Sequence, residues 1–333
     1  MKRIAIIGAG ISGLTLAHFL HNQFDVTVFD KSRGVSGRMS TRRSDPFSFD
    51  HGANYFTAKS SEFQSFLTPM INAGVVAPWY ARFCEISSNG TYHYDQWGDD
   101  YPHYVGVPGM NAVGKYLATG LNIMLSTLIS RLIYQSGWCL IDQDNTQHGP
   151  FDWVVLTTPA PQAIAMLPKE VGFYEALKSV TMSGCFTGMF GCNNTLQLPF
   201  DFAYVHDPIL NTVTMNHSKP GRSDDVSLVV NTTNQWAERM MEVPASDVLN
   251  VIIDRMKSIL DIDLSTAKCV MIHRWKYANC ETNHQKFSQI DSAYQIAVCA
   301  DWTSACRVEN SFLNAYRLKD ALCAALGVSP LRH

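Results

Sequence analysis

Residues 4–30 of the chain read IAIIGAGISGLTLAHFLHNQFDVTVFD. Residues 4–7 have the composition of a strand that is buried on both faces of a parallel sheet. Gly8, Gly10 and Gly13 follow at GxGxxG spacing and lead into an apolar segment that predicts a helix. Asp25–Phe29 then alternates as a second strand and ends at Asp30. Strand, glycine turn, helix, strand and acid in this order predict a Rossmann-type βαβ unit.

Each glycine of this turn has its own mechanical reason. The first permits a tight strand-to-helix turn, the second lets the backbone approach a pyrophosphate, and the third allows the helix to pack closely on the strand. The positive end of the helix dipole then favours the phosphates. Asp30 lies 20 residues after Gly10, where a carboxylate accepts both hydroxyls of an adenosine ribose and disfavours a 2′-phosphate. We therefore expect an adenine dinucleotide, and this fingerprint alone does not choose between NAD and FAD.

The next segments favour FAD. Residues 31–39 read KSRGVSGRM and residues 50–56 read DHGANYF. A second Gly-rich loop that contains arginine suits another wrap around a pyrophosphate, since a guanidinium pairs with phosphate oxygens in a fork geometry. An NAD-binding domain would normally continue into another helix here.

Length and composition narrow the class of protein. The 333 residues predict about two domains, and 46% apolar with 17% charged residues exclude disorder and a coiled coil. A net charge of −3 and the lack of a basic block argue against nucleic acid as a partner. No apolar run is long enough to span a membrane. The nine cysteines show no CxxC pair, so we expect no metal site and reduced thiols in a cytoplasmic protein.

Taken together, the motifs resemble the flavin amine oxidase superfamily and, within it, the bacterial renalase family. The resemblance covers nearly the whole chain. Its motifs are the glycine fingerprint, Asp30-Lys31, GRM at 37–39, DHGANYF at 50–56, VPGM at 107–110, SKP at 218–220, HRWKYA at 273–278 and VCADW at 298–302. The resemblance implies an α/β fold like that of p-hydroxybenzoate hydroxylase. Residues 1–74, 105–165 and 279–333 would form a discontinuous FAD-binding domain, and 75–104 with 166–278 an α+β substrate domain on an antiparallel sheet.

The resemblance also implies a non-covalent FAD and the residues that would hold it. Asp30 would meet the adenosine ribose, Ile129 the adenine, Asp301 the ribityl chain or pyrophosphate, and the backbone of Val308 the flavin pyrimidine. The full set is Gly8, Gly10, Ile11, Ser12, Gly13, Asp30, Lys31, Gly37, Arg38, Gly52, Ala53, Asn54, Tyr55, Ile129, Asp301, Arg307 and Val308.

This chain departs from the family at three of its glycines. Ser36 replaces the first of a glycine pair, Ala300 stands before Asp301, and Asn310 follows Glu309. A side chain is tolerable at such a position if φ stays negative, and Asn is comfortable at positive φ. These changes bear on the retention of FAD.

By resemblance, the activity is oxidation of 2-dihydro- and 6-dihydro-NAD(P) to NAD(P)+ by hydride transfer to flavin N5, with O2 as acceptor and H2O2 as product, in metabolite repair. Loss of a hydride from a neutral dihydropyridine requires no prior proton removal, so we expect no obligatory catalytic base. Side chains that suit a flat, weakly polar ring are Tyr55, Trp79, His217, Asn231, His273, Trp275 and Tyr277. Two alternatives remain. One is a flavin amine oxidase acting on a small amine; that mechanism often uses a lysine that holds water near flavin N5, and the strand 270–277 contains only Lys276. The other is a non-catalytic FAD-binding protein.

Overall fold

The computed structural model describes residues 1–87, 92–192, 196–280 and 289–330. The chain forms two compact units, and both are discontinuous in sequence. Unit 1 comprises Met1–Gly37, Gly114–Met182 and Cys280–His333, and unit 2 comprises Arg38–Val113 and Ser183–Asn279.

The described residues form eight α-helices and 21 strands. The helices are α1 (Ile11–Leu20), α2 (Ser61–Asn72), α3 (Asn111–Leu117), α4 (Ala160–Ile164), α5 (Tyr174–Lys178), α6 (Asn234–Met240), α7 (Ala245–Leu260) and α8 (Val308–Ala325). The strands are β1 (Arg3–Ile7), β2 (Asp25–Phe29), β3 (Thr41–Ser44), β4 (Phe47–Asp50), β5 (Phe56–Thr57), β6 (Val76–Pro78), β7 (Arg82–Ile86), β8 (Tyr92–Gln96), β9 (His103–Gly106), β10 (Asn122–Met124), β11 (Ile129–Tyr134), β12 (Trp138–Asp142), β13 (Gln147–Phe151), β14 (Trp153–Leu156), β15 (Met182–Gly191), β16 (Phe202–Val205), β17 (Leu210–Met215), β18 (Ser227–Thr232), β19 (Cys269–Cys280), β20 (Ile290–Asp291) and β21 (Ile296–Val298).

A six-stranded sheet in the order β10-β2-β1-β14-β21-β20 forms the centre of unit 1. Its first five strands run parallel, and β20 is antiparallel to β21. Every residue of β14 is buried, as are four of the five residues of β1, because a parallel sheet is covered on both faces. The predicted βαβ unit is confirmed, and α1 packs against α8.

Two smaller layers complete unit 1. Strands β11, β12 and β13 form an antiparallel sheet, and α4 and α5 pack on each other. One apolar cluster joins these parts and includes Trp138, Leu177 and Trp302. This cluster contacts the same face of β1 and β14 through Ala5 and Val154.

Unit 2 is built on a seven-stranded sheet in the order β19-β15-β18-β17-β16-β7-β8. The pairs β15–β18, β18–β17, β17–β16 and β7–β8 are antiparallel as expected, whereas β7 and β16 run parallel. Helix α7 buries Val248, Ile252 and Met256 in the cluster behind this sheet. The β3–β4 hairpin also belongs to this unit.

The boundaries of the two units differ from the expected domains in three segments and at Asn279, which lies in unit 2. Residues 38–74 and 105–113 lie in unit 2, and 166–182 lie in unit 1. The hairpin joins unit 2 because Phe47 and Phe49 pack against Met189 and Val229 of the large sheet. Residues 166–182 join unit 1 because they contribute Leu177 and its apolar neighbours to that core. The assignment of FAD binding and substrate binding to separate domains remains a prediction.

Two features are absent from the described residues. Within the described ranges, each helix is too short or too polar to cross a bilayer. The same ranges hold no group of three or more His, Cys, Asp or Glu side chains arranged to bind a metal ion.

Candidate functional site

The glycine turn after β1 leaves open space where a phosphate would approach. A Cβ added at Gly10 would meet no atom within 4 Å, whereas one at Gly13 would lie 2.0 Å from the carbonyl oxygen of Gly8. Gly8 itself has a φ of +119°, which an L side chain rarely adopts. Gly13 is therefore required for packing of α1, and Gly10 is the position that a ligand would fill. This cradle fits the pyrophosphate of an adenine dinucleotide.

Asp30 lies at the carboxyl end of β2, as the fingerprint requires. Its carboxylate accepts hydrogen bonds from the backbone N–H of Ala9 at 2.6 Å and of Ser32 at 2.7 Å. The carbonyl of Asp30 accepts from Thr127 at 2.8 Å, and the chain then enters β11 at the buried residue Ile129. Asp30 and Ile129, expected at the ribose and the adenine, are thus held in one unit at one end of the parallel sheet.

The second Gly-rich segment docks on the first. The N–H of Ser36 donates to the carbonyl of Ala9 at 2.8 Å, and a Cβ at Gly37 would lie 3.1 Å from the Cα of Gly10. Ser36 has a φ of +97°, so the condition that φ stays negative fails at this departure from the family. Ser36 holds a backbone conformation that suits glycine.

The other two departures carry no such strain. Ala300 is extended, with a φ of −158°. Asn310 lies inside α8 and donates from Nδ2 to the carbonyl of Ala305 at 2.8 Å. Its backbone is therefore helical and does not have the positive φ that an asparagine could adopt. The carbonyl of Ala300 accepts from Asn314 at 2.8 Å, which ties the segment that carries the buried Asp301 to α8.

The last helix begins at Val308, the residue expected at the flavin pyrimidine, and Arg307 is its N-cap without a side-chain cap hydrogen bond. The first N–H groups of a helix lack intrahelical partners and carry partial positive charge. A flavin gains negative charge at its pyrimidine edge when it is reduced, and this end of α8 fits such a charge.

One expectation about the cysteines is wrong. Cys280 and Cys306 form a disulfide within unit 1, although reduced thiols were expected throughout. Both cysteines are partly exposed, whereas six of the seven free thiols are buried. Sequence spacing misses this pair because 26 residues separate its members and only the fold brings them together.

In unit 2, Arg38 and Gly52 are in close backbone contact. A Cβ at Gly52 would lie 1.8 Å from the carbonyl oxygen of Arg38, and that oxygen accepts from the N–H of Ala53 at 2.8 Å. The Arg38 guanidinium donates to the carbonyl of Ala278 at 3.0 Å, at the end of β19. The GRM and DHGANYF motifs are therefore packed together as one cofactor-binding segment would require.

Two predicted residues, Asn54 and Asn231, are joined by a hydrogen bond. Asn54 Nδ2 donates to Asn231 Oδ1 at 3.0 Å, and Asn231 Nδ2 donates to Thr187 Oγ1 at 2.9 Å. Thr212 also donates to Asn231 Oδ1, at 3.0 Å. These bonds fix the amide orientation of both residues. Asn54 Oδ1 is buried and has no hydrogen-bond donor among the described residues, so it is an acceptor available to a ligand.

An aromatic cluster surrounds Tyr55. Its hydroxyl lies 2.7 Å from that of Tyr204, and its ring meets Trp97 edge to face at 4.8 Å. Trp97 in turn stacks on His103 at 3.7 Å and contacts Trp79. Burial lowers the pKa of His103, so its imidazole is neutral near pH 7. The ring of Tyr55 thus packs mainly against other aromatic rings.

His273 and Trp275 lie on one face of β19, as the strand alternation predicts, and both contact His51. Trp275 Nε1 donates to the carbonyl of His51 at 2.8 Å, and the His51 and Trp275 rings stack at 5.3 Å. The His273 ring lies 4.9 Å from that of His51. Burial, with repulsion from His273 and Arg42, lowers the pKa of His51 to about 4. Burial and Arg42 also lower the pKa of His273.

The last two pocket candidates have other partners. His217 Nδ1 accepts from the backbone N–H of Ser227 at 3.4 Å, which is a structural contact at the start of β18. The ring of Tyr277 lies 5.8 Å from the Lys276 ammonium. Neither contact includes another predicted pocket residue.

A buried ionic cluster of Asp50, Lys219 and Arg222 was missed by sequence reasoning. Asp50 Oδ2 accepts from Lys219 Nζ at 3.1 Å and from the Arg222 guanidinium at 2.5 Å, and the three side chains are 0–1% exposed. Although burial acts to raise it, these cations lower the pKa of Asp50 to about 2. Burial lowers the pKa of Lys219 to about 8. Asp50 and Lys219 both lie in motifs that carry the family resemblance. Their pairing could not be predicted, because no spacing rule relates residues so far apart in the chain.

Comparisons with known proteins agree with this geometry. A model of the NAD(P)-binding Rossmann-like domain matches residues 6–69. Renalase of Mus musculus is 24% identical over 301 residues, which cover 84% of this chain and 85% of the mouse protein. The 4,4'-diapophytoene desaturase of Staphylococcus aureus is 45% identical, but only over 51 residues, 15% of this chain and 10% of that enzyme.

Solved structures share the fold at low identity. A candidate protoporphyrinogen oxidase of Exiguobacterium sp. 255-15 superposes with a TM-score of 0.79 at 12% identity, covering 98% of this chain and 99% of that one. Wild-type putrescine oxidase bound to putrescine gives a TM-score of 0.72 at 13% identity, covering 97% and 99%. The chain is therefore similar to renalase over most of its length, and it shares its fold with these oxidases of known structure.

Proposed function

We propose that the protein is an FAD-dependent oxidase of isomeric dihydronicotinamide nucleotides. The substrate 2-dihydro- or 6-dihydro-NAD(P), with O2 and a proton, would give NAD(P)+ and H2O2. Non-covalently bound FAD would supply hydride acceptance at its N5 and electron transfer to O2. In unit 1, the turn at Gly10, the carboxylate of Asp30 and the N-terminus of α8 at Val308 would hold this cofactor. In unit 2, Arg38 and the segment 52–55 would do so.

The observation that carries the proposal is the neutral character of the predicted pocket residues in unit 2. Tyr55 is packed among aromatic rings, His273 is neutral near pH 7, and Asn54 and Asn231 offer amides. A planar ring that loses a hydride needs orientation and exclusion of water, and requires no proton transfer beforehand. The free acceptor Asn54 Oδ1 suits an N–H donor, which the carboxamide of a nicotinamide and the flavin ring system both carry.

One observation bears on the amine oxidase alternative. Lys219 is fully buried and has a lowered pKa, as a lysine that handles a water molecule at a flavin would be. Its ammonium, however, donates to Asp50 and to Asn216 at 2.9 Å and lies 5.5 Å from the centre of the Trp79 ring. Two N–H groups of Lys219 are thus bound to protein acceptors, which favours a structural role.

Anaerobic mixing of the purified holoenzyme with candidate donors tests the proposal. We expect 6-dihydro-NAD and 2-dihydro-NAD to bleach the visible flavin absorbance rapidly and to yield NAD+. Ordinary NADH, which carries its hydride at C4, is the matched control. In air, one H2O2 should form for each NAD+.

The alternatives give different results in the same experiment. Bleaching by a small amine, with no response to the nucleotides, would establish the amine oxidase. A flavin that responds to neither class of donor would indicate a non-catalytic FAD-binding protein. A polypeptide that is colourless and does not take up FAD would exclude all three functions.

A further inference from the structure

One face of the β3–β4 hairpin in unit 2 brings Arg42 close to a group of rings formed by His51, His273 and Trp275. Arg42 pairs with Phe49 across the hairpin, and Thr41 pairs with Asp50. Ser40 Oγ lies 3.3 Å from His51 Nε2, one step further along the same register. Because residues two apart share a face of a strand, Ser40, Arg42, Phe49 and His51 lie on one side. Arg42 is thus the diagonal neighbour of His51.

Strand β19 runs along this same face. The Cys269 thiol lies 3.4 Å from Ser44 Oγ at one end, and His273 and Trp275 contact His51 at the other. Arg42 lies between Ser44 and Ser40 in the hairpin, so it is beside the part of β19 that leads into His273. Its charge is felt by both imidazoles, since it helps to lower the pKa of each.

Arg42 is an exposed residue. In the part of the chain that the structure describes, no carboxylate or carbonyl accepts a hydrogen bond from it. Arg82, Arg222 and Arg255 of the same unit are each paired with an aspartate instead. An unpaired guanidinium next to half-buried planar rings suits a ligand that combines a phosphate with a ring, because the guanidinium binds phosphate oxygens in a fork.

We propose that Arg42 binds a phosphate of the dihydronicotinamide nucleotide, next to the rings of His273 and Trp275. This inference rests on the proposed function and extends it, because it makes the enzyme selective for nucleotides over the corresponding nucleoside. Because the imidazoles of His51 and His273 are neutral, Arg42 carries the positive charge beside these rings. The phosphate on Arg42 would therefore fix the position of the substrate, and the surroundings of the reacting ring would stay uncharged.

Steady-state kinetics with paired substrates test this assignment. We would compare 6-dihydronicotinamide mononucleotide with its riboside, which lacks the phosphate, on the holoenzyme. Loss of a hydrogen bond to a charged group corresponds to roughly 10- to 100-fold in affinity. Arg42→Gln should therefore raise KM for the mononucleotide about 10-fold or more, at unchanged kcat, and leave the riboside unaffected.

Two further variants control for indirect effects. Arg43→Gln, on the opposite face of the same strand, should behave as wild type, and Arg42→Lys should recover part of the lost affinity. Equal effects of Arg42→Gln on both substrates, or no effect on either, would overturn the inference.

A direct binding measurement keeps the two proposals separable. Inorganic diphosphate titrated into the holoenzyme in a calorimeter should bind more weakly to Arg42→Gln than to wild type and to Arg43→Gln. If neither dihydronicotinamide is turned over, the proposed function fails while this titration still decides the phosphate position. If both are turned over but diphosphate binds all three proteins equally, the function stands and the assignment of Arg42 is wrong.

Discussion

Replacing Asp50 by asparagine should destabilise unit 2 strongly, because this carboxylate holds several segments together. Its two oxygens accept hydrogen bonds from Thr41 at 2.7 Å, the Met110 backbone at 3.0 Å, Lys219 at 3.1 Å and Arg222 at 2.5 Å. Asparagine keeps the size and one acceptor oxygen, so the contacts with Thr41 and Met110 can survive. Its amide group, however, faces two cations with donors of its own.

The expected magnitude follows from burial. The side chains of Lys219 and Arg222 are 0% and 1% exposed, so both charges would lose their counterion where water cannot replace it. Removing one partner from a buried ion pair costs about 3–5 kcal/mol. A protein with a typical free energy of unfolding of about 5–15 kcal/mol would lose a large part of it.

Urea unfolding at pH 7 measures this effect through the transition midpoint at constant slope. Asp201→Asn is the matched control, since Asp201 also binds an arginine, but Arg82 is 53% exposed and the expected loss is about 1 kcal/mol or less. If Asp50→Asn lost no more than Asp201→Asn, the argument that burial makes this cluster a structural requirement would be refuted. Retention of normal unfolding with loss of flavin would instead assign Asp50 to the cofactor.

Three further predictions concern single positions. Gly10→Ala should unfold at the same urea concentration as wild type but retain less FAD. Gly13→Ala should unfold at a lower urea concentration, because its Cβ would meet the Gly8 carbonyl oxygen. Urea midpoints and the flavin absorbance per protein measure these two effects. Ser36→Gly should be about 1 kcal/mol more stable than Ser36→Ala in urea unfolding, since only the alanine retains a Cβ at a φ of +97°. The Lys219 pKa of about 8 in the folded protein lies below its ordinary 10.5, so the unfolded chain binds this proton more tightly and stability should rise between pH 8 and 10.5. Lys219→Met should reduce that rise when urea midpoints are measured across this pH range.

Much of the candidate site could be predicted because its signals are local. The glycine turn and Asp30 each depend on a few consecutive residues whose conformation is set by short-range sterics and helix geometry, whereas the role of Val308 came from the family resemblance. The alternation of β19 likewise placed His273 and Trp275 on one face. The partners of those residues were not predictable, since His51 comes from a segment more than 200 residues earlier in the chain.

The departures from the family show the same division. Ser36, Ala300 and Asn310 look alike as replacements of glycine in the sequence. Only the backbone conformation separates them, because Ser36 has positive φ, Ala300 is extended and Asn310 is helical.

The amino-acid sequence by itself determined the βαβ unit, the dinucleotide fingerprint and the family resemblance, because strand periodicity, glycine spacing and capping act over a few residues. The tertiary structure decided which unit holds the β3–β4 hairpin, which cysteines pair, and which charges share one carboxylate. Asp50, Lys219 and Arg222 meet only because folding brings distant segments together, and their burial makes each charge depend on its partners. Their energies depend on that shared burial, which no linear pattern of residues records.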